Sequence, residues 1–176
     1  MAVNDQSARG AIIARVTRSY RYIGPAELLG RTTDVASIAA MTDLDAWLAR
    51  QEPDEPRTFV VDLDGTLRLA PRRSEHVTCA GGADVLAAGE LRFERDADGW
   101  FVVEASNQST GYCPDVDSWP ALRDALDRAG VRHPGEFTAP VVFRRCPDCA
   151  AVNIVRDGDY TCALCDGNLP PQWNVV

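Results

Sequence analysis

Four cysteines near the C-terminus carry the most specific chemistry in this chain. They stand as Cys146-Pro-Asp-Cys149, then twelve residues, then Cys162-Ala-Leu-Cys165. Thiolates at i and i+3 of a tight turn supply two corners of a tetrahedron, and two such turns close it, which is the geometry Zn²⁺ takes. The insert over 152–161 reads as a hairpin turning at Asp157-Gly158, which sets the two knuckles face to face. The spacing therefore predicts a four-cysteine zinc ribbon with a structural Zn²⁺. Iron in a rubredoxin-like site and a labile redox pair are the alternatives. A closed set of thiolates leaves no open position for water, so no reaction is assigned to the metal. Asp148, Asp157, Asp159 and Asp166 make the ribbon acidic, and Arg144-Arg145 stand beside its first knuckle.

A second concentration of polar chemistry runs from residue 72 to 114. It holds Arg72-Arg73-Ser74-Glu75-His76, Cys79, Gly81-Gly82, Gly89-Glu90 and Ser106-Asn107-Gln108-Ser109-Thr110-Gly111-Tyr112-Cys113-Pro114. Runs of Ser, Asn, Gln, Thr and Gly make poor strand interiors and suit loops at strand ends, where pockets form. A pocket built here would use His76, Glu90 and Tyr112 as catalytic groups. Asn107, Gln108, Ser109 and Thr110 would hold the ligand, and Arg72 and Arg73 would favour an anionic one. Each residue also has a structural reading. His76 can be a hydrogen-bonded framework residue, Glu90 can pair with an arginine, and Tyr112 can belong to the core. Cys79 and Cys113 can be small buried apolar groups, or can join His76 in a second metal site or a Cys-His nucleophile.

This stretch resembles a domain of plant IQ-motif calmodulin-binding proteins and their bacterial relatives. That domain carries a D-G hairpin, then H-S-S-F, a glycine, A-A-G-[ER] and S-G-H-Y-x-P. The counterparts are Asp64-Gly65, His76-Val-Thr-Cys79, Gly82, Ala87-Ala-Gly89-Glu90 and Ser109-Thr-Gly-Tyr112-Cys-Pro114, over about a third of the chain. Two positions depart: H-S-S-F has become His-Val-Thr-Cys, and the second histidine is Gly111. The chain has no IQ motif, so calmodulin is not implied as a partner. The resemblance implies a hairpin at Asp64-Gly65 and weight on His76, Glu90 and Tyr112, and it implies no particular reaction.

Two further motifs are set aside. The run Phe59-Val-Val-Asp62-Leu-Asp64-Gly65-Thr66-Leu67 resembles the first motif of haloacid-dehalogenase phosphatases, but that fold needs a later lysine and this chain has none. A zinc deaminase needs H-x-E and P-C-x-x-C. Here Glu75 precedes His76, and Pro147 lies inside the cysteine pair.

The elements that must position these groups follow from periodicity and turn signals. Residues 1–57 read as mainly helical: Ile12, Ile13 and Val16 share a helical face, a second helix spans 34–41, and a third starts at Thr42 and carries Leu44, Trp47 and Leu48. Residues 58–143 read as a mainly antiparallel sheet with one helix. Its strands are 58–63 and 66–70, joined at Asp64-Gly65, and 85–93 and 100–105, joined around 96–99. The helix is capped by Ser118, carries Leu122, Leu126 and Ala129, and stops at Gly130. Val141–Phe143 leads into the ribbon and tail, 144–176, whose Leu169-Pro-Pro-Gln-Trp173 is expected to pack along the domain. The expected fold class is α+β: a helical N-terminal segment, a central sheet domain and a C-terminal ribbon.

Composition bounds the function. The 176 residues are 45% hydrophobic, enough for a core. No stretch approaches a membrane span, and the first residues lack a signal-peptide pattern, so a cytoplasmic protein is expected. A formal net charge of −8 argues against a nucleic-acid partner, because phosphate binding needs a basic face. All 18 basic residues are arginine, which excludes Schiff-base and P-loop lysine chemistry. Two functions remain: an enzyme or binder for a small anionic ligand at the central stretch, or a protein-interaction module whose zinc is purely structural.

Overall fold

The computed structural model describes residues 18–176. The helix expected around Ile12, Ile13 and Val16 lies outside the described residues. The architecture is mixed α+β with antiparallel sheets. In chain order the elements are β1 (Ala36–Ile38), α1 (Met41–Leu48), β2 (Arg57–Val61), β3 (Leu67–Ala70), α2 (His76–Cys79), β4 (Ala87–Asp96), β5 (Gly99–Ser106), α3 (Trp119–Ala129), β6 (Val142–Arg145) and β7 (Val152–Val155). The first five strands form one sheet in the order β1-β3-β2-β4-β5, and β6-β7 form a second.

β2 lies at the centre, and all five of its residues are buried. Such a strand needs cover on both faces. On one side Phe59 and Val61 join Leu44, Trp47, Leu67, Leu69, Leu91, Leu122 and Leu126, so α1 and α3 supply the cover. On the other side Val60, Ala70 and Ala88 meet Tyr20, Val77, Cys79 and Tyr112, so α2 and two loop tyrosines supply it. The alternation of β2 side chains thus divides the apolar residues into two half-cores.

The hairpins form where their turn chemistry predicts. Asp62 Oδ1 accepts from the N–H groups of Asp64 (3.1 Å) and Thr66 (2.9 Å), and this closes the β2–β3 turn. That carboxylate is therefore a turn clasp. β4 and β5 pair from Glu90↔Ser106 to Asp96↔Gly99, with a register shift between Arg92 and Phe93.

The N-terminal segment needs correction. Among the described residues before β2, the sole α-helix is α1, and the helix expected over 34–41 is strand β1. β1 pairs antiparallel with β3, Ala36 opposite Leu69 and Ile38 opposite Leu67. Closing the open edge of β3 outweighs the weak helical preference of so short a stretch. Thr42 lies inside α1 and does not cap it. Asp43 does the capping by accepting from the N–H groups of Ala39 (3.0 Å) and Ala40 (2.9 Å). Ser118 precedes α3 as expected, but its hydroxyl donates to the Asp115 carbonyl at 2.6 Å and makes no helix cap. No helix among the described residues is long and apolar enough to cross a membrane.

Candidate metal centre

The ribbon begins as a hairpin. β6 pairs with β7 from Val142↔Val155 to Arg145↔Val152. The expected hairpin inside 152–161 is reduced to one bridge, Arg156↔Asp159. Its turn residues take positive φ, 52° at Asp157 and 73° at Gly158, which is the tight hairpin turn that Asp-Gly favours. β7 finds its long partner in β6 because the residues after the turn are drawn to the second knuckle and the tail.

The two knuckles share one geometry. The carbonyl of Cys146 accepts from Ala150 N–H at 2.9 Å, and that of Cys162 accepts from Asp166 N–H at 3.0 Å. The residue after each second cysteine has positive φ, 62° at Ala150 and 58° at Asp166. Each loop thereby turns both of its sulfurs inward. Cys146 Sγ lies 3.6 Å from Cys165 Sγ, and Cys149 Sγ lies 3.6 Å from Cys162 Sγ. All four sulfurs fall within 4.8 Å of one another. A tetrahedral Zn²⁺ with bonds of about 2.3 Å separates its sulfurs by about 3.8 Å. The four cysteines are thus positioned to coordinate a metal ion, in a manner compatible with structural zinc. Among the described residues this is the one cluster of three or more metal-ligating side chains.

The surroundings of Cys162 suit a thiolate. The Leu164 N–H points at Cys162 Sγ from 3.5 Å, and Asn153 Nδ2 does so from 3.5 Å. Led by the Leu164 amide, these donors bring the Cys162 thiol down to about 6. Cys146 and Cys162 are buried, while Cys149 and Cys165 lie toward solvent.

The ribbon is tied to the body along the outer edge of β6. The Asn107 carboxamide brackets Val141: Oδ1 accepts its N–H at 2.7 Å, and Nδ2 donates to its carbonyl at 2.8 Å. Asn174 brackets Arg145 in the same way, at 2.9 and 2.7 Å. Two side chains thereby play the part of a neighbouring strand. The tail completes the attachment. Arg144 donates to the carbonyls of Pro170 (3.0 Å) and Pro171 (2.7 Å), and Trp173 Nε1 donates to Cys113 O at 2.8 Å. Val175 packs with Phe143 and Cys113. The basic pair beside the first knuckle is therefore structural at Arg144, whose guanidinium is buried against backbone carbonyls.

The central residues are distributed as follows. His76 opens α2, and its Nε2 lies 2.9 Å from the Gly89 carbonyl, so Nε2 carries the proton. Burial lowers the imidazole's affinity for a second proton, and the carbonyl partly offsets this. Asn107 is fully buried, and its second Nδ2 hydrogen goes to Pro114 O at 2.9 Å. The Tyr112 hydroxyl donates to Ala83 O at 2.7 Å, and burial pushes its pKa well up. Arg72 pairs with Glu55 at 2.9 Å. Ser109 is buried with its hydroxyl unpartnered, whereas Gln108 and Thr110 are exposed. Glu90 lies in β4 opposite Thr58 and Ser106. Arg73 is an exposed residue with φ of 64°. Cys79 and Cys113 sit in different apolar clusters, and burial raises their thiols to about 12 and about 11. Gly89 explains part of this layout: a Cβ there would stand 1.9 Å from the Ser106 carbonyl oxygen.

Sequence reasoning passed over Asn153 and Asn174. Neither has a chemical neighbour in sequence that marks it: Asn174 acts on backbone groups brought near by folding, and Asn153 on backbone groups and the Cys162 sulfur. Comparison with protein-family models, curated proteins and solved structures finds no match to this chain.

Proposed function

We propose that this protein is a protein-interaction module whose four-cysteine ribbon holds a purely structural Zn²⁺. The observation that carries this reading is how the polar groups are used. His76, Asn107 and Tyr112 all have backbone partners inside the fold, at 2.7 to 2.9 Å. Leu164, by contrast, stands 74% exposed on the second metal knuckle, beside an acidic rim. An apolar side chain held on a rigid, metal-braced turn is suited to burial against a partner. The acidity of the chain favours a partner with a basic surface over nucleic acid.

A small anionic ligand at the central stretch is the second reading. Arg73 and Glu90 support it, since neither forms an ion pair among the described residues. Thermal melts of the zinc-loaded protein separate the two, using nucleotides, NAD, sugar phosphates and amino acids. A ligand at a hundred times its Kd adds about 2.7 kcal/mol of stability. The module reading expects no shift across the panel. It also expects a defined protein complex that Leu164→Glu weakens at unchanged zinc content. A ligand shift that disappears in His76→Ala overturns it in favour of the pocket.

A further inference from the structure

Gathering four thiolates is opposed by their mutual repulsion, which a divalent metal offsets only in part. A site assembled from two separate loops therefore benefits from a tie that adds to the metal's own hold on their spacing. Asn153 is placed to be that tie. It lies in β7 opposite Arg144, one residue before the first knuckle's flanking Arg145, and its side chain is buried. β-Strand alternation turns Asn153 toward the sulfurs and its neighbours Val152 and Ile154 to the other face, where both are partly exposed.

The carboxamide touches both knuckles. Nδ2 donates to Ala151 O at 3.0 Å, and that same carbonyl accepts Cys146 N–H at 2.8 Å, so this end grips the first knuckle. Oδ1 accepts Ala163 N–H at 3.0 Å, inside the second knuckle. The remaining Nδ2 hydrogen points at Cys162 Sγ from 3.5 Å. Both amide hydrogens and the amide oxygen are thereby used. Aspartate could accept from Ala163 but could not donate to sulfur, and an apolar residue could do neither.

We propose that Asn153 is the positioning residue of the metal centre: it locks the two knuckles at metal-binding separation and donates a hydrogen bond to the Cys162 thiolate. A donor to a ligand sulfur withdraws electron density and stabilises the ionised, metal-bound form, as outer-shell partners of metal ligands generally do. The proposal rests on the reading of the four cysteines as a metal site and is independent of any partner.

The test compares wild type, Asn153→Ala and Asn153→Asp. Zn²⁺ affinity is read by competition with a chromophoric chelator, and the Co²⁺-loaded proteins are examined for their sulfur-to-cobalt charge-transfer band. Both variants are expected to lose about 10–100-fold in metal affinity. The charge-transfer band is expected to move to lower energy, because the thiolate that loses its donor becomes more electron-rich. If Asn153→Ala does not fold with zinc, Asn153→Asp carries the comparison, since it keeps the shape and the acceptor for Ala163. Affinities within about threefold of wild type in both variants overturn the proposal, being far below the usual outer-shell effect. A loss of affinity with an unmoved band overturns the donor role. A wild-type protein that takes up neither Zn²⁺ nor Co²⁺ overturns the metal reading itself, and this proposal with it.

Discussion

Replacing Asn107 by alanine tests most directly whether the central stretch is framework or pocket. The side chain is 0% exposed and serves three backbone groups: Pro114 O at 2.9 Å, Val141 O at 2.8 Å and Val141 N–H at 2.7 Å. Alanine leaves all three without a partner beside the joint between ribbon and body. A buried polar group stripped of its partner costs about 1–3 kcal/mol. Water entering the new space recovers part of that, so we expect a loss of about 3–5 kcal/mol, near the top of the range for single substitutions. In a chain of this length each kcal/mol lowers Tm by about 2–4 °C, so the melt should fall by roughly 6 °C or more. Differential scanning calorimetry of the zinc-loaded proteins measures this. Asn107→Asp should be no better, because it keeps the acceptor for Val141 N–H but turns a carboxylate toward two carbonyl oxygens. A pocket residue would behave in the opposite way, with stability kept and a ligand lost. A fall below about 1 kcal/mol in Asn107→Ala would refute the reasoning, because it lies within the range of a single ordinary hydrogen bond.

Three other outcomes follow from the same geometry. The half-buried imidazole of His76 is held below its usual 6.5 by desolvation, partly offset by the Gly89 carbonyl, so the folded chain binds fewer protons than the unfolded chain in mild acid. Its stabilising effect is complete above about pH 6.5 and is lost as the pH falls toward the folded pKa. The stability difference between wild type and His76→Gln should slope across that window, with thiolate protonation cancelling in the subtraction; a flat difference would contradict the burial argument. Gly89→Ala should destabilise by at least about 2–3 kcal/mol, since its methyl group would meet the Ser106 carbonyl and force the start of the β4–β5 pairing apart. Urea melts check this, and near-wild-type stability would mean that the two strands lie further apart than described. Removing the metal with a chelator should expose Cys146 and Cys162 to alkylation and shift Trp173 emission to the red, while the five-stranded sheet keeps its far-ultraviolet signal. A Trp173→Phe control isolates that residue's emission. Continued protection of both cysteines after chelation would mean that the fold holds the knuckles without metal.

The parts of this protein legible in the sequence are those whose causes lie close together along the chain. The two C-x-x-C turns announce a metal site because each pair of ligands belongs to one tight loop, and the tertiary fold has only to bring two loops together. Asp64-Gly65 and Asp157-Gly158 mark turns because their backbone conformations are intrinsic to those residues. The α3 stripe of Leu122, Leu126 and Ala129 reads as one buried face because helical periodicity is local. What the sequence could not decide was the use of its polar side chains. His76 meets Gly89, Tyr112 meets Ala83 and Asn107 meets Val141, separations of 13, 29 and 34 residues. A backbone carbonyl carries no residue-type signature, so nothing in the composition of the partner marks these pairings. The same holds for Asn153 and Asn174, and for Arg144 against the proline carbonyls of the tail. The strand at Ala36–Ile38 was hidden for a related reason: three residues of mixed preference become a strand when an open edge of β3 lies beside them. Local chemistry determined the metal ligands and the turns. Only the tertiary structure decided which polar groups are held inside the fold, because each group's fate depends on whether a distant main chain offers it a partner.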